Sequence, residues 1–164
     1  MKIFLTVGSM LPFDRLVAAV DKWAEGQQKI EVFGQIGRTT SYPKNINFST
    51  MISPSEYRSH IINSDLIISH VGMGTVIAAI EHNKPLILLP RRSELHEVTS
   101  NHQLETAQWL KNKPGIYIID SEKEVAGMIA HNIESMVVPQ MKIPAARNDL
   151  INGIRQFILN PNNV

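Results

Sequence analysis

Short apolar runs rich in β-branched residues or leucine alternate with amphipathic stretches along nearly the whole chain. The runs are Lys2–Val7, Lys29–Phe33, Ile46–Phe48, Asp65–Ser69, Pro85–Leu89 and Gly115–Ile119. Segments this short and this uniformly apolar suit strands covered on both faces. Between them lie Phe13–Ala24, Ser55–Asn63, Thr75–His82, Asn101–Asn112 and Ser121–Glu134, whose apolar residues recur at helical spacing. Pro54-Ser55 opens one helix, Asn83 sits at a C-terminal cap, and Asn112 with Pro114-Gly115 stops another.

That alternation predicts an α/β fold, a Rossmann-like parallel sheet with helices on both faces. A chain of 164 residues without repeat, linker or low-complexity tract reads as one domain over 1–164. A last helix is expected over about 145–159, after Pro144, with Ile151, Ile154 and Ile158 on one stripe. In such folds the ligand lies beyond the carboxyl ends of the strands. Chemistry is therefore expected in the loops after Val7, Phe33, Phe48, Ser69 and Leu89.

Composition narrows the choice of function. With no cysteine, disulfides, thiolate nucleophiles and cysteine-ligated metals are excluded. Sixteen Lys and Arg against fifteen Asp and Glu give a net charge of +1, so no broad nucleic-acid footprint is expected. The first apolar run is too short for a secretory signal or a membrane span, which predicts a cytoplasmic chain. No nucleophile elbow accompanies a Ser/His/Asp order, so hydrolysis has no support. Trp23, Trp109 and the scattered methionines read as packing residues.

Three loops hold the polar candidates. Ser69-His70-Val71-Gly72-Met73-Gly74-Thr75 leaves an apolar strand and enters a helix. Gly72 and Gly74 let a ligand approach bare backbone, the following amides sit at the positive end of a helix, and Thr75 adds a hydroxyl. A plain strand–helix turn would carry the same Gly-x-Gly, and the third glycine of the dinucleotide fingerprint is missing. Gly8-Ser9-Met10 leaves the first strand in the same way, and the pair of loops favours a diphosphate-containing ligand. Arg91 and Arg92 offer permanent charge to phosphate or form a solvated loop, and Gln103 can meet sugar hydroxyls. His96 and His102 are six apart, which matches no standard helical pair of metal ligands, so no metal site is expected.

Several motifs together carry a family resemblance. They are Thr6-Val7-Gly8-Ser9 with Pro12-Phe13-Asp14-Arg15-Leu16, then Gly34-Gln35-Ile36-Gly37, and then Ile68 through Thr75. Lys84-Pro85-Leu86-Ile87, Pro90-Arg91 and Glu97 with Asn101-His102-Gln103-Leu104-Glu105 complete the set. As far as about residue 120 the chain resembles the C-terminal, donor-binding domain of family 28 glycosyltransferases, in its short stand-alone form. That resemblance implies half of a GT-B architecture and no cofactor beyond the UDP-sugar donor.

The resemblance also implies roles. Gly8, Ser9, His70, Gly72, Gly74, Thr75 and Arg91 would hold the diphosphate. Backbone at Met51 and Ile52 would meet the uracil, and Glu97, His102 and Gln103 the transferred sugar. Two positions depart from the family pattern: Ala78 stands where many relatives place a ribose-binding glutamate, with Glu81 nearly a turn further on, and Asn83 replaces a glycine. The acceptor site and the general base would belong to a separate, membrane-anchored acceptor-binding subunit that brings the chain to the inner face of the membrane. The implied reaction is inverting transfer to a lipid-linked saccharide in surface polysaccharide synthesis. A non-catalytic nucleotide-sugar-binding or stabilising subunit is the alternative.

Overall fold

A computed structural model describes residues 1–39, 41–132 and 137–139. Its strands are β1 (Lys2–Thr6), β2 (Glu31–Gln35), β3 (Asn47–Ser49), β4 (Leu66–His70), β5 (Leu86–Leu89) and β6 (Ile116–Ile118). Its helices are α1 (Asp14–Ala24), α2 (Pro54–Asn63), α3 (Met73–Glu81), α4 (His102–Leu110) and α5 (Val125–Asn132). One-turn 3-10 segments lie at Ser93–Leu95 and Glu122–Glu124. The strands form one parallel sheet in the order β3-β2-β1-β4-β5-β6.

Side chains alternate across a strand, so each apolar run feeds two cores. Ile3, Leu5, Ile68, Ile87 and Leu89 face one side, where they pack with Leu16, Val17 and Val20 of α1 and Val125 and Ile129 of α5. Phe4, Ile67, Leu86 and Leu88 face the other, against Ile61 of α2, Val76 and Ala79 of α3, and Ala107 and Leu110 of α4. Burial on both faces is why these runs are continuously apolar rather than alternating.

The chain moves outward from β1 to β2 and β3, then returns to lay β4, β5 and β6 on the other side. The order reverses between β1 and β4, and at such a switch point the loops leaving the two strands diverge and open a crevice. The expected Rossmann-like fold is therefore present, and its topology puts the loops at Gly8 and Gly72 on either side of that crevice.

Several boundaries differ from the sequence reading. β2 runs two residues later than Lys29–Phe33, because Gly34 and Gln35 pair with Leu5 and Thr6. A glycine and a polar residue end an apolar run in sequence, yet the ladder continues through their backbone. α3 begins at Met73 rather than Thr75, since Gly72 is extended and its carbonyl accepts from the N–H groups of Thr75 and Val76. The last predicted helix of the described region opens with a 3-10 turn, capped where Ser121 Oγ accepts from the Lys123 N–H. Trp109 was expected to pack, but it is exposed, with the Lys113 ammonium 5.5 Å from its ring centroid. Asn83 has φ of +50°, the left-handed conformation that favours glycine and that asparagine tolerates. The helix expected over about 145–159 lies outside the described residues.

Candidate functional site

A cavity of about 700 Å³ opens at the switch point, between the loops that follow β1, β3, β4 and β5. β1 delivers Thr6 through Leu11, β3 is followed by Met51 to Pro54, and β4 with α3 contributes His70, Gly72, Gly74 and Thr75. Arg91, Val98, His102 and Gln103 close it from the β5 side. Eleven of the twelve residues singled out in the sequence thus meet in one place: Gly8, Ser9, Met51, Ile52, His70, Gly72, Gly74, Thr75, Arg91, His102 and Gln103.

Glu97 is the one not brought there. Its carboxylate accepts two hydrogen bonds from Arg15, each 2.8 Å long, and a third from the Arg92 N–H at 3.0 Å. Arg15 also reaches Glu122 at 3.0 Å, and its partnership with Glu97 raises its pKa. A carboxylate held by a planar guanidinium fork is fixed in place and largely neutralised. Glu97 ties the β5–α4 loop to α1 and does not line the cavity.

Arg91 is 3% exposed, and its donors serve the backbone. Nη2 donates to the carbonyls of Val7 and Leu11, both at 2.7 Å, and Nη1 donates to the Glu97 carbonyl at 3.4 Å. Nε is buried with no partner, and the guanidinium lies 5.0 Å from the Phe13 ring centroid. Burial lowers the Arg91 pKa, yet a guanidinium stays protonated. No carboxylate pairs directly with this charge among the described residues, and no aspartate or glutamate lines the cavity. The Glu97 carboxylate acts on it only through space, and a buried cation with no bonded carboxylate favours an anionic ligand.

The amino end of α3 adds to that field. No side chain caps it, and with Thr75 and Val76 bonded to Gly72, the amides of Met73 and Gly74 have no intrahelical partner. Thr75 Oγ1 accepts from the Tyr57 hydroxyl at 3.0 Å, which leaves its own proton for a ligand. A Cβ at Gly74 would meet nothing within 4 Å, so this glycine borders open space.

Gly8 and Gly72 serve a different purpose. A Cβ on Gly8 would lie 3.0 Å from His70 Cε1, and one on Gly72 would lie 2.8 Å from the same atom. The imidazole occupies the space that side chains at these two positions would need. Ser69 Oγ donates its only proton to the Thr6 carbonyl at 2.7 Å, so in its 3.2 Å contact with His70 Nδ1 the imidazole is the donor. His70 therefore carries its proton on Nδ1 and presents a bare Nε2.

Burial first, and then the charge of Arg91, push the His70 pKa down to about 4. Because the folded value lies below the ordinary 6.5, the unfolded chain binds the extra proton between those two values. Stability contributed by neutral His70 is complete above about pH 6.5 and is lost as the pH falls towards 4. This single group should cost about 3 kcal/mol of unfolding free energy across that window. In urea titrations from pH 7 to pH 4, His70→Asn should remove about that much of the decline. An equal decline in both proteins would refute the assignment.

Sequence reasoning gave no role to two residues that build the site. Gln35 is buried at the end of β2, where its Oε1 accepts from Thr6 Oγ1 at 2.8 Å. Its Nε2 donates to the carbonyls of Gly8 at 3.0 Å and Thr50 at 3.1 Å, joining the loops after β1 and β3. The available signal was one amide side chain among small and apolar neighbours in Gly34-Gln35-Ile36-Gly37. Tyr57 on α2 lines the cavity, but nothing in its local sequence marks it. Gln103 Oε1 accepts from the Arg91 N–H at 3.1 Å, which leaves its amide nitrogen as a donor.

The profile of the glycosyltransferase family 28 C-terminal domain matches residues 2–158. The UDP-N-acetylglucosamine transferase subunit ALG13 of Homo sapiens is 31% identical over 126 residues, covering 70% of this chain and 11% of that protein. The subunit of the same name from Candida albicans is 34% identical over 117 residues, 71% of this chain and 33% of that protein. The chain thus spans a third or less of the length of these relatives. The crystal structure of Acinetobacter baumannii MurG superposes with a TM-score of 0.65 at 16% identity, covering 93% of this chain and 49% of that one. At that identity the likeness concerns the fold, a Rossmann-like half of the GT-B architecture.

Proposed function

This chain belongs to the glycosyltransferase family 28 C-terminal domain family, and from that membership we propose that it is the donor-binding half of a two-component UDP-sugar transferase. The observation that carries this reading is Arg91, a buried guanidinium that among the described residues has no carboxylate bonded to it, in a cavity that they line without an acidic side chain. The diphosphate of the donor supplies the missing negative charge. It lies against the amides of Met73 and Gly74 and the Thr75 hydroxyl, near Gly8 and Ser9. Because His70 Nε2 is a bare lone pair, a phosphate oxygen there is held through a proton that His70 takes up on binding. Uracil sits at Met51 and Ile52, and the transferred sugar sits beside His102 and the free amide nitrogen of Gln103.

Transfer is inverting in this reading. An acceptor hydroxyl attacks the anomeric carbon, the bond to the diphosphate breaks, and a base on the partner takes the hydroxyl proton. Negative charge grows on the departing UDP, and fixed donors with the Arg91 field stabilise it most at that moment. These groups supply the positive potential in place of a metal ion. Among the described residues, no group of three or more His, Asp or Glu side chains is placed to bind one.

The partner is a membrane-anchored, acceptor-binding subunit, and the acceptor is a lipid-linked saccharide of a surface polysaccharide. Support comes from the name shared by the two relatives, each called a transferase subunit. The lining of the cavity adds to it, because Met10 (84% exposed), Leu11 and Met51 present exposed apolar surface there. Apolar surface gathered at one opening marks a face that another chain covers. Among the described residues no helix is long and apolar enough to cross a membrane, so in this reading the anchor belongs to the partner.

Co-purified with its cognate partner, the chain should transfer sugar from a UDP-sugar, whereas either subunit alone should not. Robust transfer by the isolated chain would overturn the two-component reading. A complex that binds UDP-sugar without transfer would identify a binding or stabilising subunit instead.

A further inference from the structure

We infer that this cavity does not select on the 2′-hydroxyl of its nucleotide, so that its donor class extends to 2′-deoxynucleoside diphosphate sugars. The inference rests on the reading of the cavity as a nucleoside-diphosphate site. A ribose diol is commonly held by a carboxylate, whose oxygens accept from its hydroxyls. Among the described residues, no aspartate or glutamate lines this cavity.

The carboxylates nearest its border are already committed. Glu97 is held by Arg15 and the Arg92 N–H. Glu56 accepts from both the N–H and the hydroxyl of Ser53 at the cap of α2, and these bonds hold its pKa below the usual carboxylate range. At the start of α3 the cavity is lined by Gly74 and Thr75, which offer backbone and one hydroxyl.

Discrimination also needs a polar group that the wrong ligand leaves unpaired. A site built to bond a substrate hydroxyl rejects the analogue lacking it by about 10⁴-fold, because its own buried group is then orphaned. Here the buried polar side chains of the wall already bond one another. Thr6 pairs with Gln35, Gln35 also holds Gly8 and Thr50, and Thr75 is joined to Tyr57. Among the described residues, the fully buried side-chain atom left without a partner is Arg91 Nε, a cationic donor suited to phosphate rather than to a hydroxyl proton. The groups still open in the wall, the Thr75 hydroxyl, His70 Nε2 and the Gln103 amide nitrogen, serve the diphosphate and the sugar in this reading, so loss of the 2′-hydroxyl orphans none of them.

Calorimetric titration of the full chain with UDP, 2′-deoxy-UDP and inorganic pyrophosphate tests this directly. The two nucleotides should bind with dissociation constants less than about fivefold apart, where a charge-assisted bond would separate them by more than about tenfold. A preference for UDP of fivefold or more overturns the inference and leaves the diphosphate reading in place. Failure of all three ligands to bind overturns the diphosphate reading, and the inference with it.

Discussion

Gly74→Val should abolish UDP binding, with an affinity loss of at least about 100-fold, while shifting the thermal midpoint by no more than about 3 °C. Gly74 occupies the first turn of α3 without positive φ, and a Cβ there touches nothing within 4 Å. The two methyls of valine would fill ligand space directly over the open amides of the helix, so the cost falls on binding and not on folding. Gly72→Val serves as the contrast, because its side chain would drive into the His70 imidazole and should lower stability and binding together. Calorimetry and thermal melts on the same preparations check both outcomes. Unchanged affinity in Gly74→Val would show that the loop is only a turn.

Arg91→Leu should also cost at least about 100-fold in UDP affinity, but with a loss of stability of about 1–2 kcal/mol. Leucine fills the space above Phe13 yet leaves the carbonyls of Val7 and Leu11 without the donor that holds both at 2.7 Å. Two unsatisfied buried acceptors cost about 1–3 kcal/mol each. Releasing a buried charge with an unpartnered Nε recovers part of that, which keeps the net loss modest. Binding suffers twice, because the loop carrying Gly8 and Ser9 loosens and the cationic field disappears. Arg91→Lys separates these effects: it keeps the charge without the planar fork, and should bind between the other two proteins. Wild-type affinity in Arg91→Leu, measured at a temperature where the variant is folded, would remove Arg91 from the anion site.

Much of this site is legible along the chain, and for a local reason. A parallel strand buried on both faces has to be continuously apolar, and each strand end is followed within a few residues by glycine or a helix start. Gly8, Gly72, Gly74 and Thr75 could therefore be placed at one sheet edge without knowing any contact. What misleads is the element boundary. Gly34 and Gln35 continue β2 through backbone pairing with Leu5 and Thr6, which side-chain periodicity does not register. Periodicity therefore gives Gln35 no role, although it joins two walls of the cavity.

The sequence alone determined the α/β class, the parallel sheet, the placement of the helices and the edge that carries the ligand loops. Each follows from patterns only a few residues long, which is the range over which periodicity and glycine punctuation act. Only the tertiary structure decided what each polar side chain does. Glu97 is claimed by Arg15, 82 residues away, and Arg91 spends its strongest donors on Val7, 84 residues away, and on Leu11. His70 has its tautomer set by a serine hydroxyl that itself answers to Thr6 on a neighbouring strand. A polar group bonds to whichever partner the fold brings within about 3 Å, and that partner need not be near in sequence.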